Sequence, residues 1–190
     1  MFKIKFRPTT PDAPLWLILL KIFGQTVIFW SLFLLVIPAA LIWLESILGC
    51  PAFRFNGQRV LGVILFVLGG SLGLTSGAMM GIYGRGTPLP LDTARHLVVV
   101  GPYRYVRNPM AIAGLTQGAA VALFCGSWLT LGYIIVGFFL WNYYVRPIEE
   151  QDLLHRFDRA YADYQRSVRC WIPCWRGYSP STPETQGNDK

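Results

Sequence analysis

Residues 95–109 read RHLVVVGPYRYVRNP, and this basic segment separates two long apolar runs. Asparagine is a preferred N-cap and proline is favoured at the first helical position, so Asn108 and Pro109 predict that a helix begins here. Helix N-termini attract anions, and Arg104 and Arg107 add positive charge nearby. The segment therefore predicts an anion-binding site where water meets lipid. The alternative is a capped membrane helix flanked by arginines whose charged ends reach the water.

The bulk composition indicates an integral membrane protein. The chain has 190 residues, 14% of them charged, and its mean hydropathy is +0.40. A soluble domain carries about 25% charged residues, and here the apolar residues come in long runs. The formal net charge of +7 then indicates topology and contact with anionic lipid headgroups, and nucleic acid is a poor partner. Prolines near the N-terminus and the long apolar run behind them argue against a cleaved signal peptide.

Four apolar segments predict an all-α membrane protein with about four transmembrane helices, over residues 25–48, 60–83, 110–124 and 128–144. We expect a kink at Pro38 and an interfacial lead-in at residues 15–23. Residues 125–127 (Cys-Gly-Ser) predict a tight turn between the third and fourth helices. After Pro147, apolar residues at helical spacing over residues 148–168 predict a separate amphipathic helix on the cytoplasmic side.

Basic residues set the predicted orientation. Lysines and arginines precede the first apolar segment, lie between the second and third, and follow the fourth. The turn between the third and fourth segments carries no charge. The positive-inside rule then puts both termini and residues 84–108 in the cytoplasm.

An acidic pair follows the fourth apolar segment. Glu149 and Glu150 come three and four residues after Arg146, so that Arg146 can face both acids along one side of a helix. The pair is either a solvated helix start, where acids are favoured by the dipole, or a cation-binding group at the mouth of the bundle.

The four cysteines include no Cys-x-x-Cys pair, and we expect no metal site. Cys50 and Cys125 are predicted on the same, non-cytoplasmic side, and the sequence leaves open whether they are bonded. The glycine-rich second segment would allow helix pairing, so the oligomeric state is also open.

Beyond these separate signals, the C-terminal half of the chain resembles the isoprenylcysteine carboxyl methyltransferase family, above all its small prokaryotic members, with phospholipid N-methyltransferases as relatives. The resemblance rests on residues 95–109, on Glu149-Glu150 and on the order of the positions behind them, which are Leu153, Phe157, Tyr161, Tyr164, Ile172 and Pro173. It implies an S-adenosylmethionine-dependent methyltransferase embedded in the membrane, with a lipophilic acceptor that enters from the bilayer.

The resemblance also implies where the cofactor binds. The adenosine side would be lined by Arg95, His96, Leu97, Val98 and Tyr103. The methionine part would be held, through backbone N–H groups, by Asn108, Pro109, Met110 and Ala111. Gly101 would make the turn that folds the loop back over the cofactor.

Three residues would act in the transfer itself. Glu149 would contact the ammonium group of the cofactor, and Arg146 would lie near the arginine that holds an acceptor carboxylate. An amine acceptor would instead lose a proton to Glu149 or Glu150. The resemblance does not decide between carboxylate and amine.

On this interpretation the chain divides into an N-terminal cytoplasmic or interfacial segment (1–24), two transmembrane helices (25–83), a methyltransferase core (84–178) and a disordered tail (179–190). Two other classes stay open. One is an NADPH-dependent membrane reductase of the sterol-reductase type, and the other is a non-catalytic membrane scaffold or small transporter.

Overall fold

The computed structural model describes residues 13–87 and 93–180. This part of the chain folds into four long helices, α1 (Leu15–Ile47), α2 (Gln58–Gly84), α3 (Pro109–Cys125) and α4 (Trp128–Ser167), with a short 3-10 turn in the loop before α3. α1, α2 and α4 are long and apolar enough to cross a membrane, and α3 is a shorter apolar helix of 17 residues. The predicted all-α membrane fold is therefore confirmed. Residues 1–12 and 181–190, in the predicted N-terminal segment and tail, lie outside the described residues.

The first helix begins earlier than the hydropathy pattern predicted. Residues 15–23, expected as a separate interfacial piece, continue without interruption into the membrane helix. Ile18 and Ile22 in this part are buried. Ile22 packs against Gly77 and Gly81 of α2, and this packing holds the start of α1 to the bundle. The π-helical turn Ser31–Val36 ends two residues before Pro38.

Small residues bring α2 and α3 into close contact. A Cβ atom at Gly62 would lie 3.0 Å from the carbonyl oxygen of Ala120, and one at Gly69 would lie 2.9 Å from Cγ of Gln117. Small residues such as these glycines let helix backbones approach closely in a membrane protein.

The turn between α3 and α4 is fixed by backbone conformation and by a buried acid. Gly126 has a φ of 72°, in the left-handed region that glycine adopts at little cost. Its carbonyl oxygen accepts a hydrogen bond of 3.0 Å from the Phe53 amide. Glu45, buried near the end of α1, accepts a hydrogen bond of 2.7 Å from the Leu129 amide in the first turn of α4. Cys50 and Cys125 at this end are free thiols.

The amphipathic helix predicted after Pro147 is present, but it is not separate, because α4 runs through Pro147 from its apolar part (residues 128–145) into the polar stretch Arg146–Ser167. The helical backbone is interrupted further along this stretch at Asp158, where φ is 43°. A π-helical turn, Trp141–Val145, directly precedes this stretch. Such a turn accommodates the proline ring and its missing N–H group, so the helix continues. One helix therefore carries both a membrane-spanning part and a polar part with Glu149 and Glu150.

The polar part of α4 packs its apolar face against the loop before α3. Tyr161, Tyr164 and Val168 form a buried cluster, against which Leu97 and Val99 of the loop pack. Phe157 and Leu153 also belong to this face as predicted, whereas Leu154 is exposed.

The segment after α4 then turns back along the same loop. The Arg107 amide donates to the Arg169 carbonyl, and the amides of Cys174 and Tyr178 donate to the carbonyls of Tyr105 and Arg104, over 2.8–3.0 Å. The loop before α3 is thus held between α4 and the C-terminal segment.

Candidate active site

A cavity of about 350 Å³ lies where the end of α2, the loop, the start of α3 and the polar part of α4 meet. Most of the residues predicted for the cofactor or for catalysis line it. These are His96, Leu97, Val98, Tyr103, Asn108, Met110, Ala111, Arg146, Glu149 and Glu150. The structure thus brings residues 96–111 and residues 146–150 to one place.

Three predicted residues are not part of the cavity lining. Arg95 is exposed, and its amide donates to the Gly84 carbonyl at the end of α2. Gly101 has a φ of 56°, and its backbone packs against Met79. Pro109 is buried in the first turn of α3.

The start of α3 has the predicted cap, and this cap reduces the number of backbone amides in the first turn that are free to bind an anion. Oδ1 of Asn108 accepts a hydrogen bond of 2.9 Å from the Ala111 amide, and the Asn108 carbonyl accepts one from Ile112. Pro109 has no N–H group. The Met110 amide in this first turn has no backbone or capping acceptor in the described part of the chain, so the anion site is smaller than the sequence suggested.

The two acids have different surroundings. Oε1 of Glu150 lies 2.8 Å from Nη1 of Arg107 and 3.8 Å from Nε of Arg146, and its Oε2 accepts 3.0 Å from Nε2 of Gln165. Arg146 also donates to Asn142 over 3.0 Å. Glu150 is therefore neutralised by two arginines, whereas Nε and Nη1 of Arg107 and Nε of Arg146 have no hydrogen-bond partner among the described residues.

This ion pair predicts a structural role for Glu150. The side chains of Arg107 and Glu150 are 14% and 17% exposed, so Glu150→Ala leaves a largely buried guanidinium without its acid. We expect the free energy of unfolding in detergent to fall by about 3 kcal/mol, because one partner of a buried pair has been removed. The control is Asp163→Ala, which breaks an exposed pair with Arg166 and should cost less than about 1 kcal/mol. Equal losses in the two variants would contradict the assignment.

Glu149 has no cation within ion-pair distance among the described residues. Burial raises the pKa of its carboxyl to about 7, and the negative charge of Glu150 contributes to the increase. The nearby Tyr103 hydroxyl is buried and has no hydrogen-bond partner in the described part of the chain. Burial raises the pKa of Tyr103 well above its usual range, and the charge of Glu149 adds to this effect. An unpaired acid and an unpartnered hydroxyl group therefore line the same cavity.

Several lining residues escaped the sequence analysis. Asp152 and Arg156 form an ion pair of 3.1 Å, and Arg156 also donates to the Ala94 carbonyl and lies over the Phe157 ring. Their i, i+4 spacing was the only signal available, and such pairs are common on solvated helices. Trp141 escaped notice because it lies in the apolar part of α4.

A second cavity, of about 440 Å³, lies between α1, α3 and α4 inside the apolar part of the bundle. Its walls are mainly aromatic and aliphatic. Met110, Ala111 and Trp141 line both cavities, so the two spaces meet at the first turn of α3.

Comparison with known proteins identifies a family. The family model described as phospholipid methyltransferase matches residues 57–160, more than half of the chain, from the start of α2 past Glu149 and Glu150. The match agrees with the resemblance to membrane methyltransferases found in the sequence. No similar protein was found among curated sequences, and none among solved structures.

Proposed function

This chain belongs to the phospholipid methyltransferase family, and from that premise we propose that it transfers the methyl group of S-adenosylmethionine to the amine of a lipid headgroup. Membership of the family makes it a membrane methyltransferase that acts on a lipid-type substrate. The cofactor, the amine acceptor and the cytoplasmic position of the site are the proposal. The observation that carries it is the meeting of a polar and an apolar cavity at Met110, Ala111 and Trp141.

The polar cavity suits S-adenosylmethionine on three counts. Glu149 offers an unpaired carboxylate to a cofactor whose ammonium and sulfonium groups are both positive. The unpartnered hydroxyl of Tyr103 and the free amide of Met110 offer hydrogen bonds. The side chains of Leu97, Val98 and Phe157 supply an apolar surface for a purine ring. A buried polar group without a partner is costly, so such groups favour a ligand that satisfies them.

The charges favour an amine over a carboxylate as acceptor. Arg107 and Arg146 share the single acid Glu150, which lowers but does not cancel their positive charge. The preference for an amine therefore rests on Glu149, which has no cation within ion-pair distance among the described residues. The ammonium group of a lipid would be attracted to the carboxylate of Glu149. A carboxyl group with a pKa of about 7 can attract a cation and can also take up its proton near neutral pH.

The protein's own part in the reaction is to bind, orient and accept a proton. Glu149 attracts the positive charges and takes the proton that the lipid ammonium must lose before it can react. When bound, S-adenosylmethionine supplies a methyl group whose carbon–sulfur electron pair stays on sulfur while the acceptor nitrogen forms the new bond. Met110, Ala111 and Trp141 form the common wall that keeps donor and acceptor in line and excludes water. Glu150 positions Arg107 and Arg146 and touches neither reactant.

The test uses the purified full-length protein in detergent. We expect it to bind S-adenosylhomocysteine in calorimetry and to transfer labelled methyl groups from S-adenosylmethionine to phosphatidylethanolamine in mixed micelles. Binding of NADPH without binding of S-adenosylhomocysteine would favour a reductase. Binding of neither would favour a scaffold.

Cofactor binding should depend on pH through Glu149. The carboxyl of the free protein has a pKa of about 7, and a bound ammonium group lowers that pKa because it stabilises the charged form. Affinity is therefore full above pH 7 and falls as the pH drops through 7. We expect S-adenosylhomocysteine to bind about tenfold more weakly at pH 6 than at pH 8. Glu149→Gln should show a flat profile over this range, and a flat profile in the unaltered protein would contradict the assignment.

A further inference from the structure

The apolar cavity is lined by two glutamines that each have one buried atom without a hydrogen-bond partner among the described residues, Oε1 of Gln25 and Nε2 of Gln117. The side chain of Gln117 on α3 is 1% exposed, and its Nε2 has no hydrogen-bond partner among the described residues. The amide lies against Gly70, where a Cβ would be 3.4 Å from Nε2, and Gln117 lines the cavity between α1, α3 and α4. A buried amide without a partner destabilises a membrane helix bundle, so its presence in an apolar wall needs an explanation.

Two other buried polar side chains of the bundle have hydrogen-bond partners. Nε2 of Gln58 donates to the Leu123 carbonyl, and Ser76 donates to Leu72 over 2.6 Å. Gln117 differs from them in that it borders a space large enough for a ligand. It can donate two hydrogen bonds, so the ligand group it suits is an acceptor oxygen.

The position of Gln117 agrees with the dimensions of a glycerophospholipid. Gln117 lies about two turns beyond Met110 on α3, which is about 10 Å along the helix axis. In phosphatidylethanolamine about nine bonds separate the nitrogen from the nearer ester carbonyl carbon. An extended peptide has three backbone bonds per residue and spans about 3.3–3.6 Å per residue, so nine bonds span about 10 Å. With the nitrogen at the junction of the two cavities, the ester carbonyl reaches the level of Gln117.

We infer, resting on the proposed function, that the apolar cavity binds a diacyl glycerophospholipid and that Gln117 recognises its ester carbonyl oxygen. The headgroup then points to Glu149, and the acyl chains lie among Phe29, Phe33 and Ile134. Gln117 is a specificity-determining residue. It distinguishes an ester from an ether linkage between the glycerol and the chain, and it lies away from the reacting atoms.

The experiment compares two lipids with the same ethanolamine headgroup and the same chains, one ester-linked and one ether-linked. The ether lipid lacks the carbonyl oxygen. We expect kcat/KM of the unaltered protein for labelled-methyl transfer to be about tenfold higher for the ester lipid, because the ether leaves Gln117 unpaired. Gln117→Met keeps the length of the side chain but cannot donate, so the ratio should fall to about one.

Affinity for S-adenosylhomocysteine is the control, and it should stay within about threefold in Gln117→Met because the polar cavity is unchanged. Equal rates on both lipids with the unaltered protein would overturn the inference and leave the proposed function standing. An ester preference that persists in Gln117→Met would do the same. Failure to methylate either lipid, with S-adenosylhomocysteine still bound, would overturn the amine acceptor and this inference together.

Discussion

Replacing Glu149 by glutamine is expected to lower kcat/KM for methyl transfer by at least about 100-fold, because the neutral amide can neither balance the charge of the cofactor nor accept a proton. The substitution preserves the shape of the side chain, so the loss reports charge alone. The measurement is labelled-methyl transfer to phosphatidylethanolamine together with affinity for S-adenosylhomocysteine. The matched control is Asp163→Asn, which neutralises an exposed acid on the same helix and should leave both values unchanged.

The same variant should gain stability while it loses function. The folded-state pKa of Glu149 is about 7, above the value of an exposed glutamate, so its charged form is disfavoured by folding. The unaltered protein therefore loses stability as the pH rises from the pKa of an exposed glutamate to about 7. Glutamine has no charge to bury, so the variant does not lose this stability. Above pH 7 we expect the thermal midpoint of Glu149→Gln to be equal to or higher than that of the unaltered protein. A large drop in midpoint together with the loss of activity would indicate a structural role instead.

Local rules were enough to predict much of the fold. The cap at Asn108, the turn at Gly126 and the buried face of Tyr161 and Tyr164 each depend on residues that are close in the sequence. Such signals could be recognised from the sequence because the three-dimensional environment did not override them.

The continuous helix through Pro147 could not be predicted in this way. A proline after an apolar segment normally marks a helix end, and the π-helical turn that accommodates it leaves no clear trace in the composition of Trp141–Val145. The start of α1 at Leu15 was missed for a related reason. Packing of Ile18 and Ile22 against α2 extends the helix beyond its most hydrophobic part.

The two acids differ in their charge partners because of an arginine that is distant in the sequence. Glu149 and Glu150 are adjacent, and Arg146 is equally available to both by spacing. Arg107, from the loop before α3, pairs with Glu150, and Glu149 has no cation within ion-pair distance in the described part of the chain. The spacing alone could not tell the two acids apart by their charge partners, whereas in the fold only Glu150 pairs with arginines among the described residues, and both acids line the cavity.

The wall of the cavity also depends on a close backbone approach that no motif marked. A Cβ atom at Gly86 would lie 2.5 Å from both Cα and the nitrogen of Ala94. Just before it, the Gly84 carbonyl accepts hydrogen bonds from the amides of Arg95 and His96. The end of α2 thus holds the start of the loop that carries His96, Leu97 and Val98 into the cavity.

Gly86→Ala is accordingly expected to weaken binding of S-adenosylhomocysteine by about 100-fold. The added Cβ would clash with the backbone of Thr93 and Ala94, and residues 93–98 would have to shift. Gly132→Ala is the matched control, since a Cβ there meets nothing within 4 Å, and its affinity should equal that of the unaltered protein. Calorimetry measures both, and a thermal midpoint close to the control would show that the helices of Gly86→Ala still assemble. Full affinity in Gly86→Ala would mean that residues 93–98 do not form the wall on which the cofactor depends.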